Sequence, residues 1–412
     1  MARALTGLID ELRWRGLLYA ATDGAEAAFA SGRAMAGYVG FDPTADSLHV
    51  GHLLPIMTLV RLNDHGHRGI ALIGGGTGLI GDPSGKNTER SLADRDTVQT
   101  NAKRIGDQLA KFGLELADNA EWLTDLGAID LLRDTGKHFT VNYMLQKDSV
   151  KSRMDAGISF TEFAYMLLQA YDFLQLYKRY DVTVQLGGSD QWGNITAGIE
   201  LIRRTVGGDA YGLTSPLITT ASGAKFGKTE AGAVWLDATK TSPYRFYQFW
   251  INVDDSEVGK YLKYFTLLDR EAIDALLALD PAGRAAQRQL ALDVTTRVHG
   301  VKAAETAREV SELLFGRADA QRLSAAALAA LQREIPYTEA KSNLTLITTM
   351  VELHLSGSNG EARRLVQQGG VSVNGTKVTP DQVSLANWPR LQNEYVLIRK
   401  GSRDYGLVRL ID

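Results

Sequence analysis

Three short apolar runs in the first half of the chain each give way to a stretch of helical periodicity, and this alternation constrains the fold more than any other feature. Met35–Phe41 precedes the helix-patterned Leu53–Leu62, and Arg68–Ile73 runs straight into Gly74-Gly75-Gly76. Val182–Leu186 ends in Gly187-Gly188 ahead of the helical Ile195–Arg204. Strands alternating with helices specify an α/β fold, with a mostly parallel sheet wrapped by helices. Ligands of such sheets bind beyond the carboxyl ends of the strands, where the glycine-rich turns fall.

At 412 residues the chain exceeds one ordinary core, so two or three domains are expected. The pattern changes near Asp269. Glu271–Leu279, Arg284–Val298, Ala303–Leu314 and Ala320–Arg333 are rich in Ala, Leu, Glu and Arg at helical spacing. Around Pro336 large apolar residues are few, which reads as a linker. After it, Leu346–Leu355 and Asn359–Gln368 read as short helices. Val371-Ser372-Val373 then alternates into the hairpin signal Asn374-Gly375, with Lys377 and Val378 on the return strand. Tyr395–Arg399 and Leu407–Leu410 read as further strands. The expected division is a sheet domain over 1–240, a helical domain over 241–335, a linker over 336–344 and a small α+β module over 345–412.

The chain has no cysteine, which excludes disulfides, thiolate metal sites and cysteine nucleophiles. A net charge of −3 excludes a globally basic nucleic-acid binder, so an RNA partner would be held by local patches. From Thr345 onward eight Lys and Arg face six Asp and Glu. No apolar run is long enough to span a bilayer, and Met1–Leu12 reads as a short amphipathic helix without a signal-peptide core. A cytoplasmic location is therefore expected, with no membrane partner.

Five segments could carry chemistry. In Tyr38-Val39-Gly40-Phe41-Asp42-Pro43-Thr44 and Leu48-His49-Val50-Gly51-His52, a strand leads through a loop to a helix start, with Pro55 in its first turn. Free amides there would attract phosphate, and His49 and His52 would donate to its oxygens while Gly51 leaves room for a nucleotide. A chance pair, or two of three metal ligands, is the alternative. Gly74–Lys86 contains Gly76-x-Gly78-x-x-Gly81, yet Pro83 and Gly85 break the helix a dinucleotide fingerprint needs. It is not a phosphate-binding Walker loop either, because Ile80 stands where that loop needs glycine. What remains is a flexible strand-end loop carrying Asp82, Lys86 and Arg90, or an ordinary surface turn. On the helical Thr161–Tyr180, the residues Tyr165, Gln169 and Asp172 share one face. That stripe either meets a small polar ligand or lies wet on the surface. Asp190, in Gly187–Trp192, either hydrogen-bonds a ribose or stabilises a helix start. Lys225 and Lys228, among glycines, either close on a polyphosphate or stand solvated.

Together these segments resemble one family. Asp42–His52 is similar to the His-Ile-Gly-His signature of class I aminoacyl-tRNA synthetases, with Val50 for Ile. Lys225-Phe226-Gly227-Lys228-Thr229 resembles their lysine-rich signature with both lysines kept. Tyr165–Asp172, Gly187–Trp192 and Thr241-Ser242-Pro243-Tyr244 resemble bacterial tyrosyl-tRNA synthetases in order and spacing over nearly the whole chain. The resemblance implies a Rossmann-like catalytic domain that activates tyrosine with ATP and passes it to the 3′-terminal ribose of tRNA(Tyr). Tyr38 and Asp172 would bind the substrate phenol, Tyr165, Gln169 and Asp82 its ammonium, and Gln191 its carboxylate. Gly40, Asp42, Thr44, His49, Gly51, His52 and Asp190 would line the ATP site, while Pro55 is given no contact. Lys225, Lys228, Thr229, Lys86 and Arg90 would face the departing pyrophosphate. Magnesium would accompany ATP, with no protein-ligated metal. The C-terminal module is similar to an RNA-binding module of a ribosomal protein, with Arg363, Arg364 and Lys377 toward RNA phosphates. Members of the family are usually homodimers. A tryptophanyl-tRNA synthetase is the nearest rival, but an indole cannot use Tyr38 and Asp172 as a phenol does.

Overall fold

The computed structural model describes residues 4–82, 84, 93–151, 154, 157–219, 226–229, 232–315, 318–341, 343–380 and 382–411. The chain divides into two compact units, one of Met1–Thr241 with Val253–Leu290 and the other of Ser242–Asn252 with Ala291–Asp412.

The first unit is built on a six-stranded sheet. Its strands are β1 (Ala20–Ala21), β2 (Ala36–Phe41), β3 (Arg68–Ile73), β4 (Glu115–Asp118), β5 (Val182–Gly188) and β6 (Tyr211–Ser215), in the order β1-β6-β5-β2-β3-β4. All neighbours are parallel except β1, which closes the edge antiparallel to β6. The central strands are apolar on both faces because helices cover both, and β3 is buried from Gly69 to Ile73. Helices Leu53–Asp64 and Arg95–Ala110 connect β2 to β3 and β3 to β4. Phe160–Tyr180 leads into β5, and Trp192–Val206 joins β5 to β6. The chain thus runs outward from β2 in one direction and then resumes on its other side at β5. That reversal opens a crevice between β2 and β5 at their carboxyl ends, the place where such sheets bind ligands.

Each long helix is punctuated by its sequence. Ser159 caps Phe160–Tyr180 by accepting the Glu162 N–H at 3.2 Å, and Asp181 ends it in a left-handed conformation at φ 54°. Pro55 lies in the first turn of Leu53–Asp64, where a missing N–H costs little. The N-terminal helix is Leu8–Arg15.

The second unit holds a five-stranded sheet of Tyr337–Lys341, Val371–Val373, Thr376–Lys377, Tyr395–Lys400 and Asp404–Ile411. One core lies between this sheet and Leu346–Glu352 and Asn359–Gln367, centred on Met350, Val366, Val396 and Val408. Another joins Leu391, Leu397, Tyr405 and Leu407 to Val310, Leu328 and Leu331 of the preceding helices.

Two expectations are corrected here. Residues 336–344 are not a plain linker: Tyr337–Lys341 is a strand paired in parallel with Asp404–Ile411, with Ala340 buried in the core. Pro336 fits because it stands just before the strand, where its carbonyl accepts the Leu407 N–H at 2.9 Å. Nor do 241–335 form one helical body. Asp255–Phe265 and Arg270–Leu277 belong to the first unit, whereas Pro243–Ile251 packs with Val301–Leu314 in the second, where Gln248 donates to Ser311 at 2.9 Å.

Candidate active site

Residues from the carboxyl ends of β2, β3, β4 and β5 meet the polar face of the Phe160–Tyr180 helix. Asp172 is buried at 2% exposure on that face, and Tyr165 at 5%. The stripe is therefore not a wet surface. Asp172 accepts from Trp122 Nε1 at 2.7 Å and from Asn119 Nδ2 at 2.9 Å. Burial raises its pKa to about 7 against the opposing effect of these two donors. Tyr38, on β2, is fully buried, and its hydroxyl has no hydrogen-bond partner. Its pKa is raised by burial and then by the nearby Asp172 carboxylate. A buried hydroxyl without a partner beside a buried carboxylate makes a cleft suited to a ligand hydroxyl.

Asn119 and Trp122, which hold Asp172, are residues of this site that the sequence does not single out. They follow β4 directly, and no motif marks them. Asn119 also donates to Thr77 Oγ1 at 2.9 Å and accepts the Gly76 N–H at 2.7 Å. Thr77 in turn donates to Asp42 at 3.1 Å. The glycine-rich stretch is accordingly packed and hydrogen-bonded from Gly74 to Thr77 rather than an open loop. Gly74 to Thr77 are buried and followed by a tight turn, Thr77–Leu79. Small residues are required there, because a Cβ on Gly74 would lie 2.4 Å from Asp42 Oδ1 and one on Gly75 2.4 Å from Asp118 Oδ1.

A chain of amides lines the next part of the crevice. Gln191 donates to Asp82 Oδ2 at 2.7 Å and accepts from Gln169 at 3.1 Å. Asn194, also missed from the sequence, donates to Gln169 at 2.9 Å and to Gln191 at 3.2 Å. The pKa of Tyr165 is raised by burial, then by Asp42, Asp82 and Asp172, against a lowering effect of Thr77. This collection of carboxylates and amide oxygens presents negative potential to an incoming ammonium.

Beyond β2 the two histidines form a reciprocal cap. Gly51 N–H donates to His49 Nδ1 at 3.0 Å and His49 N–H to His52 Nδ1 at 3.1 Å, with the rings 4.1 Å apart. Val50 N–H donates to the Val234 carbonyl, His52 N–H to that of His49, and Leu53 N–H to that of Val50. Every amide from His49 to Leu53 therefore has a partner, so the expectation of free amides for phosphate at this turn is corrected. With Nδ1 accepting, the proton of each neutral ring lies on Nε2. A Cβ on Gly51 would sit 2.7 Å from His49 Cε1, so only glycine permits the cap.

Phe226 and Gly227 of the lysine-rich signature come to the same place. Gly227 adopts φ 82°, its carbonyl accepts the Val234 N–H at 3.1 Å, and a Cβ on it would lie 2.6 Å from Val50 Cγ2. Phe226 and Gly227 thus rest against the histidine turn. Lys228–Thr229 is a short strand whose side chains lie outside the described atoms, and Lys86, Arg90 and Lys225 lie outside the described residues. Gly40 faces open space at an exposed point of β2, Thr44 is exposed, and Asp190 is exposed in the turn Ser189–Gln191. In the second unit Arg363, Arg364 and Lys377 are exposed.

Comparison with known proteins bears on this geometry. A family model for class I tRNA synthetases (W and Y) matches residues 30–316, and one for a tyrosine–tRNA ligase SYY-like C-terminal domain matches residues 327–408. The tyrosine–tRNA ligase of Roseiflexus castenholzii is 51% identical over 99% of this chain and 100% of its own length. That of Geobacillus stearothermophilus is 48% identical over 98% and 99%. Among solved structures, a C-terminally truncated mitochondrial tyrosyl-tRNA synthetase from Aspergillus nidulans superposes with a TM-score of 0.69 at 32% identity, covering 75% of this chain and 94% of that one.

Proposed function

The chain belongs to the tyrosine-type class I tRNA synthetases, and from that premise we propose how its residues carry the reaction. The activity is that of a tyrosine–tRNA ligase. A carboxylate oxygen of tyrosine attacks the α-phosphorus of ATP, the bond to the bridging oxygen breaks, and pyrophosphate leaves with the electron pair. A hydroxyl of the 3′-terminal ribose of tRNA(Tyr) then loses its proton as it attacks the adenylate carbonyl, and AMP departs.

The observation that carries the site assignment is the pairing of Tyr38, its hydroxyl unpartnered, with Asp172, fixed by Asn119 and Trp122. The substrate phenol donates to Asp172 and accepts from Tyr38. Phenylalanine would leave both groups buried without a ligand partner, which is costly. Tyr165, Gln169 and Asp82 receive the ammonium, and Gln191 borders the substrate carboxylate. Gly40, Asp42, Thr44, Gly51 and Asp190 border the nucleotide. No protein nucleophile is needed, so catalysis rests on position and on cations and N–H donors aimed at the phosphates. His49 and His52 supply Nε2 donors, while Lys225, Lys228 and Thr229, with Lys86 and Arg90, follow the charge onto pyrophosphate.

The described residues contain no cluster of three or more His, Asp or Glu fit to hold a metal. Magnesium enters as part of the ATP substrate, and none of the protein's roles is routed through it. Arg363, Arg364 and Lys377 meet phosphates of the tRNA. Homodimer formation is supported by five large apolar side chains exposed within residues 129–160: Ile129, Leu132, Val141, Met154 and Phe160. Among the described residues no helix is long and apolar enough to cross a membrane. The cytoplasm is the compartment in which ATP and tRNA would meet this enzyme.

Amino-acid-dependent exchange of pyrophosphate into ATP, without tRNA, tests the reading. Exchange with tyrosine and not with phenylalanine or tryptophan is expected. Equal exchange with phenylalanine would sink the assignment of Tyr38 and Asp172.

A further inference from the structure

Between the two lysines of the signature stands a phenylalanine that is almost fully buried, at 4% exposure. Its ring stacks on Phe265 at 5.4 Å with planes 13° apart and meets Tyr261 at 5.1 Å, and those two rings also touch at 5.8 Å. Both partners lie on the helix Asp255–Phe265. The carboxyl end of that helix is pinned to the body of the first unit by two buried guanidinium groups. Arg61 donates to the carbonyls of Tyr264 at 2.7 Å and Thr266 at 2.9 Å, and Arg15 to those of Lys263 at 2.8 Å and Leu268 at 2.6 Å. Glu11 accepts from Arg15 at 2.7 Å and lies 3.9 Å from Arg61 Nε, so one carboxylate faces both guanidinium groups. Cations at a helix carboxyl end are favoured by its exposed carbonyls and dipole.

The ring therefore has a rigid socket, while its backbone lies against the histidine turn. A Cβ on Gly51 would come within 3.8 Å of the Phe226 carbonyl oxygen, and one on Gly227 within 3.3 Å of the Gly51 amide nitrogen. A residue held at both its side chain and its backbone fixes the peptide that carries its neighbours.

We propose that Phe226 is a positioning residue for adenylate formation: seated between Phe265 and Tyr261, it sets the backbone that runs through Gly227 into Lys228. The inference rests on the role assigned to Lys228 under Proposed function and adds the element that aims that lysine. Phe226 touches no reacting atom and acts through its neighbours.

The test is a set of variants of the full chain, assayed by tyrosine-dependent pyrophosphate exchange and, separately, by tyrosine binding through intrinsic fluorescence. Phe226→Ala is expected to lower kcat on the order of 10²-fold, as a misplaced catalytic group does, with tyrosine affinity unchanged. Phe226→Met, which can refill the socket, recovers at least a tenth of the lost rate. Lys228→Ala alone lowers kcat, but adding it to Phe226→Ala costs little more, because the lysine is already out of place. Full exchange by Phe226→Ala would overturn the proposal, and so would an undiminished lysine effect in its background. Should Phe226→Ala fail to fold, Phe226→Leu and Phe265→Leu carry the same comparison with Lys228→Ala. A Lys228→Ala enzyme with normal kcat would instead overturn the lysine assignment, and this inference with it.

Discussion

Asn119 donates to Asp172 at 2.9 Å through the same amide nitrogen that reaches Thr77 at 2.9 Å. One side chain beyond β4 thereby ties the buried Asp172 carboxylate to the glycine turn beyond β3. Asn119→Ala would leave Asp172 with Trp122 alone and Gly76 N–H without its acceptor. The expected outcome is a fall of roughly 10- to 100-fold in kcat/KM for tyrosine and about 1–3 kcal/mol of stability, read by exchange kinetics and urea denaturation.

Tyr38→Phe should separate stability from selectivity. The hydroxyl has no partner in the ligand-free protein, so removing it should leave stability equal or raise it by about 1 kcal/mol. The preference for tyrosine over phenylalanine should drop roughly tenfold, because one of two hydroxyl partners is gone. Parallel kcat/KM measurements on the two amino acids check this, and unchanged discrimination would remove Tyr38 from the pocket.

Asp172 also predicts a pH dependence. Its pKa is raised to about 7, chiefly by burial. Between the ordinary carboxylate range and that value the folded protein holds a proton that the unfolded chain has lost. Stability of the ligand-free protein should therefore fall as pH rises through that window. Tyrosine affinity should move the opposite way, since the ionised carboxylate is the better acceptor for a phenol. Denaturation and fluorescence titrations from pH 5 to 8 would show both trends, and Asp172→Asn should flatten them.

Arg363 and Arg364 lie exposed on the short helix Asn359–Gln367, remote in sequence from the catalytic residues. Replacing both with Glu should weaken charging of tRNA(Tyr) by about tenfold or more, most at low salt, while leaving tyrosine-dependent exchange intact. Point variants are better here than removal of Thr345–Asp412. That cut would strip Leu391, Leu397, Tyr405 and Leu407 from the core they share with Val310, Leu328 and Leu331.

If residues 129–160 form a self-association face, Ile129→Asp with Leu132→Asp should convert a dimer to a monomer in light-scattering measurements. An unchanged mass would place the contact elsewhere.

The strand ends were legible in the sequence because apolar runs stopping at Gly74 and Gly187 leave few other structures. The polar stripe Tyr165, Gln169 and Asp172 was legible as a shared face, though its burial was not, since helical spacing does not say what lies opposite. Asn119 and Trp122 escaped because their role depends on β4 lying beside β3, a pairing distant in sequence. The glycine turn looked flexible because glycine signals freedom as readily as close packing, and only the neighbours Asp42 and Asp118 decide between them. Tyr337–Lys341 passed for a linker because a five-residue strand completed by the last strand of the chain has little local signature.

The division of the chain has a consequence for synthesis on the ribosome. Ser242–Asn252 emerges before Val253–Leu290 but belongs to the second unit. Phe246 and Trp250, fully buried in the finished protein, therefore remain without their core until the helix Val301–Leu314 is made. The nascent chain thus carries an aromatic segment that is ready early and housed late. Its solubility during that interval depends on the pace of translation and on chaperones rather than on the native fold.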